Sequence, residues 1–321
     1  MLHNINIKEG VIMEKKRYIG NTKVSRLGFG AWPLGNTAHG KTMSIEEGVA
    51  LVEEAVKQGV NFFDTAPNYA LGRSEIILGK ALKNHRNKVV INSKFGHHPD
   101  DSIDFNENRI ESSINGSLKR LQTDYLDSVI LHNPDYDILM GRTGHFTILE
   151  RLKEKGIIKG YGVSIDTRGE LETVLNNQSV DVIELYFNVF AQVTRDLLDT
   201  VKQKGIALII KVPLDSGWLT GKYTNKSSFS DIRSRWTKED LNRRYILVNK
   251  LKDFLSAEKL TQYAMQFLWS YDAITTVIPG IRTIEQLHEH VSYVNEKLNK
   301  DLQKKLETFY DCFIANDPLR W

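Results

Sequence analysis

Four residues in the first half of this chain have the types needed to move a proton: Asp64, Tyr69, Lys94 and His132. Three of them close short apolar runs of strand character, Asp64 after NFF, Lys94 after VVINS and His132 after YLDSVIL. Tyr69 follows Asp64 in a stretch that Pro67, Asn68 and Gly72 keep out of regular structure. Reducing a carbonyl by hydride transfer requires a proton at oxygen while hydride reaches carbon. A phenol with a free pKa of about 10 is a poor acid at neutral pH. A neighbouring ammonium corrects this by stabilising the phenolate, each pKa unit being worth about 1.4 kcal/mol. Lys94 is the candidate ammonium, Asp64 the group that holds it, and His132 the hydrogen-bonding group that orients the carbonyl oxygen. Such a set needs neither a metal nor a covalent nucleophile.

Singly, these residues are ordinary. A strand-end Asp before Thr is more often a turn or helix cap, a loop Tyr a half-buried aromatic, a strand-end Lys a solvated charge, and a His before Asn-Pro-Asp a structural histidine. Their recurrence at the ends of successive strands gives them weight, because a parallel barrel gathers the C-terminal ends of its strands at one face.

The elements that would position them alternate through the chain. RYIGNTKVS, Arg17 to Ser25, reads as a hairpin turning at Gly20 and Asn21, followed by a first buried strand, LGFG. Ser44 caps a helix running to Gln58, with Ile45, Val49, Val52 and Val56 on one face and Gly59 as its stop. Strand NFFD, a helix from Arg73 to Lys83, strand VVINSK, a helix from Glu107 to Leu121 and strand YLDSVILH follow. The second half continues with helix Thr147 to Lys155, strand GYGVS, helix Arg168 to Leu175, strand DVIELYF, helix Arg195 to Lys204 and strand IALIIKV. A long glycine-, serine- and arginine-containing loop after Pro213 suggests function rather than connection. Helices at Glu239 to Leu255 and Leu260 to Ser270, strand TTVIP and helices at Ile284 to Tyr293 and Asn299 to Phe313 complete the chain. Eight buried strands separated by helices favour a (β/α)8 TIM barrel with an N-terminal β-hairpin and an extra C-terminal helix; a doubly wound open sheet is the competing architecture. No internal boundary is visible, so residues 1–321 are expected to form one domain, with 1–16 as a flexible extension.

Bulk properties narrow the class. With 43 Lys and Arg against 40 Asp and Glu, a net charge of +3 argues against a nucleic-acid or polybasic membrane role. The 41% hydrophobic content suffices for a sizeable core, but no apolar run reaches membrane-spanning length. One cysteine, Cys312, excludes an internal disulfide, and the N-terminus lacks an apolar leader, so a cytoplasmic protein is expected. Adjacent His97 and His98 lack a third ligand at motif spacing, and no metal is expected. GWLTGKY has the wrong glycine spacing for a P-loop, and Asn115-Gly-Ser falls in an expected helix rather than a glycosylated loop.

DTAPNYALGRSE, NSKFG, LHNPD, GYGVS, PLDSGWLTGKY and IPGIR-TIEQ, in that order from Arg17 to Tyr293, resemble the aldo-keto reductases, a family of NADPH-using TIM-barrel oxidoreductases. The resemblance carries the family's catalytic tetrad onto Asp64, Tyr69, Lys94 and His132. It also implies an NADP(H) site. Gly30, Trp32 and Asp64 would border it, with Trp32 either walling the substrate pocket or packing under the rim. Ser164 would meet the nicotinamide carboxamide, with Ile165 in place of the family's usual Asn. Glu184 occupies the position of a carboxamide-binding Gln, and Lys211 that of an aromatic stacking on the nicotinamide. Pro213, Leu214, Ser216, Gly217, Leu219 and Lys222 would cross the pyrophosphate with their backbone amides and one cation, joined by Arg233 or Arg235. Gly280, Ile281, Arg282, Gln286, Glu289 and His290, the last replacing an Asn, match the adenosine and 2′-phosphate site; a basic Arg282 opening a helix favours NADP over NAD.

The resemblance implies reduction of an aldehyde or ketone by NADPH, by a monomer or small homo-oligomer acting on a small-molecule carbonyl. Two alternatives stay open: a nicotinamide-sensing binding subunit with little turnover, and an NADP-dependent sugar or polyol dehydrogenase. Specificity would reside in the loops Asn36 to Met43, Gly96 to Phe105, Asp135 to Phe146 and Ser227 to Trp236.

Overall fold

A computed structural model describes residues 18–19, 22–38, 41–257, 259–296 and 298–320. Eight strands carry the fold: β1 (Phe29–Gly30), β2 (Phe62–Asp64), β3 (Val90–Phe95), β4 (Ser128–His132), β5 (Tyr161–Ile165), β6 (Val182–Tyr186), β7 (Ala207–Lys211) and β8 (Ile274–Val277). Each pairs in parallel with the next in sequence. The first and last edges also join, through parallel bridges Leu27 to Val277 and Gly30 to Gly280. Gly28 N–H donates to the Val277 carbonyl at 2.9 Å and Gly30 N–H to that of Pro279 at 3.0 Å. The sheet is therefore closed, and the expected (β/α)8 barrel is the architecture observed.

Both strand faces are buried, which is why these strands read as continuous apolar runs. Period-two alternation sends Phe63, Ile91, Val129, Leu131, Val163, Ile183 and Leu185 outward into the layer under the helices. Phe62, Val90, Ile130, Val182, Ala207 and Ile209 form a separate cluster with Ile19 and Val24. Most of these residues lie at or near strand starts, so the hairpin Tyr18–Ile19/Thr22–Lys23 plugs the end of the barrel opposite the predicted site.

The helices start where capping chemistry allows. Ser44 and Glu47 form a capping box on Ile45–Lys57, and Thr167 and Glu170 form one on Arg168–Asn177. The C-terminal helix Lys300–Phe313 buries Leu306, Phe309 and Tyr310. The structure differs from the sequence reading in detail. Helix Ile110–Leu121 is preceded by a tighter 3-10 turn at Glu107–Arg109, and a short helix at Tyr136–Leu139, capped by Asp135, was not anticipated. Nor was a second small hairpin, Thr37–Ala38/Lys41–Thr42. The long loop after β7 contains two 3-10 turns, Asp215–Thr220 and Ile232–Arg235. The expected turn at Gly20 and Asn21, the 1–16 extension and Trp321 lie outside the described residues. Among the described residues no helix is long and apolar enough to cross a membrane.

Candidate active site

Strand register fixes which polar residues meet at the C-terminal ends. Asp64 is level with Asn92, His132 with Ser164, and Ser164 with Glu184. Lys94, two residues beyond Asn92 on β3, points the same way. Its ammonium donates to Asp64 Oδ1 and Oδ2 at 2.6 and 2.7 Å and to the Thr65 carbonyl at 3.1 Å. Glu184 Oε2 lies 3.2 Å from the same nitrogen, and none of the three side chains is more than 3% exposed. A fixed dipole chain orients Asp64: Ser128 Oγ donates to Asn92 Oδ1 at 2.6 Å, and Asn92 Nδ2 donates to Asp64 Oδ1 at 2.7 Å.

Tyr69 comes from the turn after β2. Pro67 and Asn68 lead into a segment where Ala70, Leu71 and Gly72 take φ of 50°, 56° and 86°. Only the glycine does this without steric cost, and each of the other two costs about 1–2 kcal/mol. The turn is anchored on either side. Ser74 Oγ donates to the Ala31 carbonyl at 2.9 Å, while buried Glu75 accepts from Ser93 Oγ at 2.7 Å and from Arg120 Nε at 2.6 Å. Tyr69 is thereby set with Lys94 Nζ 5.4 Å from its ring centroid and the His132 ring edge-on at 6.1 Å. The structure brings the four predicted residues together.

Burial and the adjacent Glu184 carboxylate push Asp64 up to about 7, against the pull of Lys94. Burial acts upward on Glu184 too, but the Lys94 and Lys211 ammoniums outweigh it and hold Glu184 low. The two carboxyls on one ammonium titrate as a pair. Lys94 keeps its proton despite burial because Asp64 and Glu184 face it. The sequence reading had Lys94 bringing the Tyr69 phenol down; in the structure burial outweighs Lys94, the two carboxylates oppose it, and the phenol is pushed above its usual value. Burial and Lys94 hold His132 well below the usual histidine range, so its imidazole is neutral.

The adjacent histidines diverge. His97 stacks on His132 with centroids 4.2 Å apart, and His98 Nε2 contacts the Asp104 carbonyl at 2.9 Å. Among the described residues no group of three or more His, Cys, Asp or Glu is arranged to hold a metal.

The predicted cofactor residues continue round the rim. Ser164 donates to Glu184 Oε1 at 3.1 Å and accepts from Lys211 Nζ at 2.7 Å. Lys211 also reaches Asp166 at 2.9 Å and Asn133 Oδ1 at 3.2 Å, so it is tied into a polar network rather than left as a bare charge. In the loop after β7, Val212, Asp215, Ser216 and Gly217 all have positive φ. The Gly217 amide is used internally, donating to Leu214 at 2.8 Å, and Leu219 is buried. Arg233 reaches this turn with Nη1 3.5 Å from the Ser216 carbonyl, and Arg235, whose guanidinium lies 5.3 Å from the Trp236 ring centroid, acts electrostatically on Asp215 in the same turn. Exposed Lys222 sits 5.0 Å from the Tyr223 ring.

Across the barrel, Thr283 caps helix Ile284–Tyr293. Arg282 N–H donates to Gln286 Oε1 at 2.9 Å, and its guanidinium donates to the Asn36 carbonyl at 3.0 Å. Gly280 bridges Gly30, and a Cβ at Gly30 would lie 2.8 Å from the Pro279 carbonyl, so backbones meet there. Ile281 is buried, Glu289 accepts from Tyr293 at 2.8 Å, and His290 is buried and pushed down to about 4. Trp32 is 43% exposed on the turn after β1. The cations at the predicted phosphate positions are Lys222, Arg233 and Arg235 along the loop after β7 and Arg282 at a helix N-terminus, with Arg233 already paired to Asp231.

Sequence reasoning missed Asn92, although its inward register with Lys94 in VVINSK was a usable signal. It weighed His97 only as a metal ligand. It also missed a buried ion pair beneath the loop after β7: Arg244 Nε to Asp215 Oδ2 at 3.1 Å, with Tyr186 OH on Asp215 Oδ1 at 3.3 Å.

The family model described as "Aldo/keto reductase family" matches residues 26–311. An L-galactose dehydrogenase of Arabidopsis thaliana is 32% identical over 319 residues, covering 95% of this chain and 95% of that relative. The uncharacterized oxidoreductase YqkF of Bacillus subtilis is 27% identical over 302 residues, covering 92% and 96%. A solved aldo-keto reductase of Bacillus halodurans, in its holo form, superposes with a TM-score of 0.78 at 24% identity, over 92% of this chain and 96% of that one. With the match spanning the barrel and the gathered strand ends alike, the chain belongs to the aldo/keto reductase family of oxidoreductases.

Proposed function

We propose that this protein interconverts a small-molecule carbonyl and its alcohol with NADP(H), using Tyr69 as the group that gives and takes the proton. The observation that carries the reading is the packing of Lys94 and His132 against the Tyr69 ring, at 5.4 and 6.1 Å, where strands β2, β3 and β4 end. Tyr69 donates its hydroxyl proton to the carbonyl oxygen in reduction and accepts the alcohol proton in oxidation. Lys94, held by Asp64, stabilises the phenolate so formed. His132 is neutral and therefore offers one ring N–H, which fixes the carbonyl oxygen beside Tyr69 without competing as an acid.

NADP(H), when bound, supplies or accepts the hydride. Ser164, Glu184 and Lys211 would hold its nicotinamide end, the Pro213-to-Lys222 segment and Arg233 its pyrophosphate, and Arg282, Gln286 and the helix start at Thr283 its 2′-phosphate end. The 32% identical L-galactose dehydrogenase favours a polyhydroxylated alcohol as the substrate of the reverse direction.

The test is a fluorescence titration with NADPH and with NADH, followed by turnover of an aldehyde and ketone panel by wild type and Tyr69→Phe. Tight NADPH binding by both proteins, with at least a roughly hundredfold loss of turnover in the variant, is expected. Normal turnover by Tyr69→Phe would remove Tyr69 from the role.

A further inference from the structure

Lys94 has two carboxylate partners, and the tetrad uses only one. Glu184 enters from β6 beside Asp64, with Oε2 3.2 Å from Nζ and its other oxygen accepting from Ser164. Apart from that ion pair, Oε2 is buried and accepts no hydrogen bond from the described residues. A carboxylate with so little solvation is costly to keep ionised unless the lysine carries it. The same lysine therefore serves Asp64, Glu184 and the Tyr69 phenolate.

Six of the eight strand ends bear on this balance. β2 and its loop bring Asp64 and Tyr69, β3 brings Lys94 with His97 just beyond, β4 brings neutral His132, and β5 brings Ser164 with Asp166 two residues on. β6 brings Glu184 and β7 brings Lys211; β1 and β8 contribute no charged residue. Lys211 is matched by Asp166 at 2.9 Å. Around Tyr69 stand the Lys94 ammonium and two carboxyls, with the Lys211–Asp166 pair beside Glu184.

We propose that Glu184 is a positioning residue for the proton donor: as the second counter-ion of Lys94 it withdraws that ammonium's support from the Tyr69 phenolate and ties the acid strength of Tyr69 to a proton shared by Asp64 and Glu184. The idea rests on the reading of Tyr69 as proton donor. When the pair takes up its proton, one negative charge leaves the cluster, Lys94 stabilises the phenolate more fully, and Tyr69 becomes the stronger acid. Reduction therefore speeds up as pH falls through the titration of the pair, near 7 from the Asp64 side. Oxidation, which needs the phenolate, is displaced to alkaline pH.

The experiment measures kcat/KM against pH in both directions, with 4-nitrobenzaldehyde and NADPH for reduction and 4-nitrobenzyl alcohol and NADP+ for oxidation. Wild type is expected to show reduction rising as pH falls through about 7. Glu184→Gln is expected to lose that rise and to shift the alkaline limb of oxidation down by about one unit or more, the usual effect of one close charge. Glu184→Asp keeps the charge and is expected to keep the rise. Cofactor titrations accompany each variant, so that a change in NADPH affinity is not read as a change in acid strength. A wild-type reduction profile with no inflection near 7 overturns the inference whether or not any variant folds. So does a Glu184→Gln profile that superimposes on wild type while Tyr69→Phe is inactive. An active Tyr69→Phe overturns the underlying assignment of the proton donor instead.

Discussion

Replacing Lys94 by Met exposes how much the site depends on one charge. The substitution removes the 2.6 and 2.7 Å bonds to Asp64, the bond to the Thr65 carbonyl and the 3.2 Å contact with Glu184. It leaves two carboxyls, each no more than 3% exposed, with no cation between them. Breaking a buried pair from one side costs about 3–5 kcal/mol. With 321 residues and about 2.1 cal/mol/K of unfolding entropy per residue, that corresponds to a fall in Tm of about 4–7 °C. The loss depends on pH with a definite sign. Without the ammonium, burial and mutual repulsion raise both folded-state carboxyl pKa values above their unfolded ones. The folded state then binds more protons, and stability falls as pH rises. The Tm deficit relative to wild type should therefore be larger at pH 8 than at pH 5.5, and adding Glu184→Gln to Lys94→Met should recover part of it at pH 8. Differential scanning calorimetry at the two pH values reads both effects. A deficit equal at both pH values, or larger in acid, would refute the placement of two ionisable carboxyls on one lysine, as would a second substitution that only adds to the damage.

Arg282→Ala should weaken NADPH binding about tenfold or more, as expected for losing a charge-assisted bond, while leaving NADH affinity nearly unchanged; parallel fluorescence titrations check this. Arg244→Met strands the buried Asp215 carboxylate, whose partner lies at 3.1 Å with neither side chain exposed, and should cost about 3–5 kcal/mol by thermal melting, part of it regained with Asp215→Asn. Gly162→Ala places a Cβ 1.7 Å from the Val182 carbonyl inside the barrel wall, where backbone must move; loss of soluble protein or a clearly lowered Tm is expected.

The barrel was legible because each of its parts has a local signature. Strands buried on both faces read as short apolar runs, the first helix announced its start through Ser44, and the strand-end positions of Asp64, Lys94 and His132 followed from where those runs stop. The parts that escaped are set by contacts without a sequence period. Tyr136–Leu139 is too short for helical periodicity to register. Asp215 and Arg244 are 29 residues apart, and nothing local to either predicts that both are buried. Glu184 shows the limit most sharply. Its identity and strand were readable, and resemblance assigned it to a cofactor amide, but its distance from Lys94 follows only from closing β3 to β6 into one curved wall. That closure turns a single lysine–carboxylate pair into a three-charge cluster. The chemistry of Tyr69 therefore depends on a residue 115 positions away, counted from Tyr69 to Glu184, as well as on its own motif.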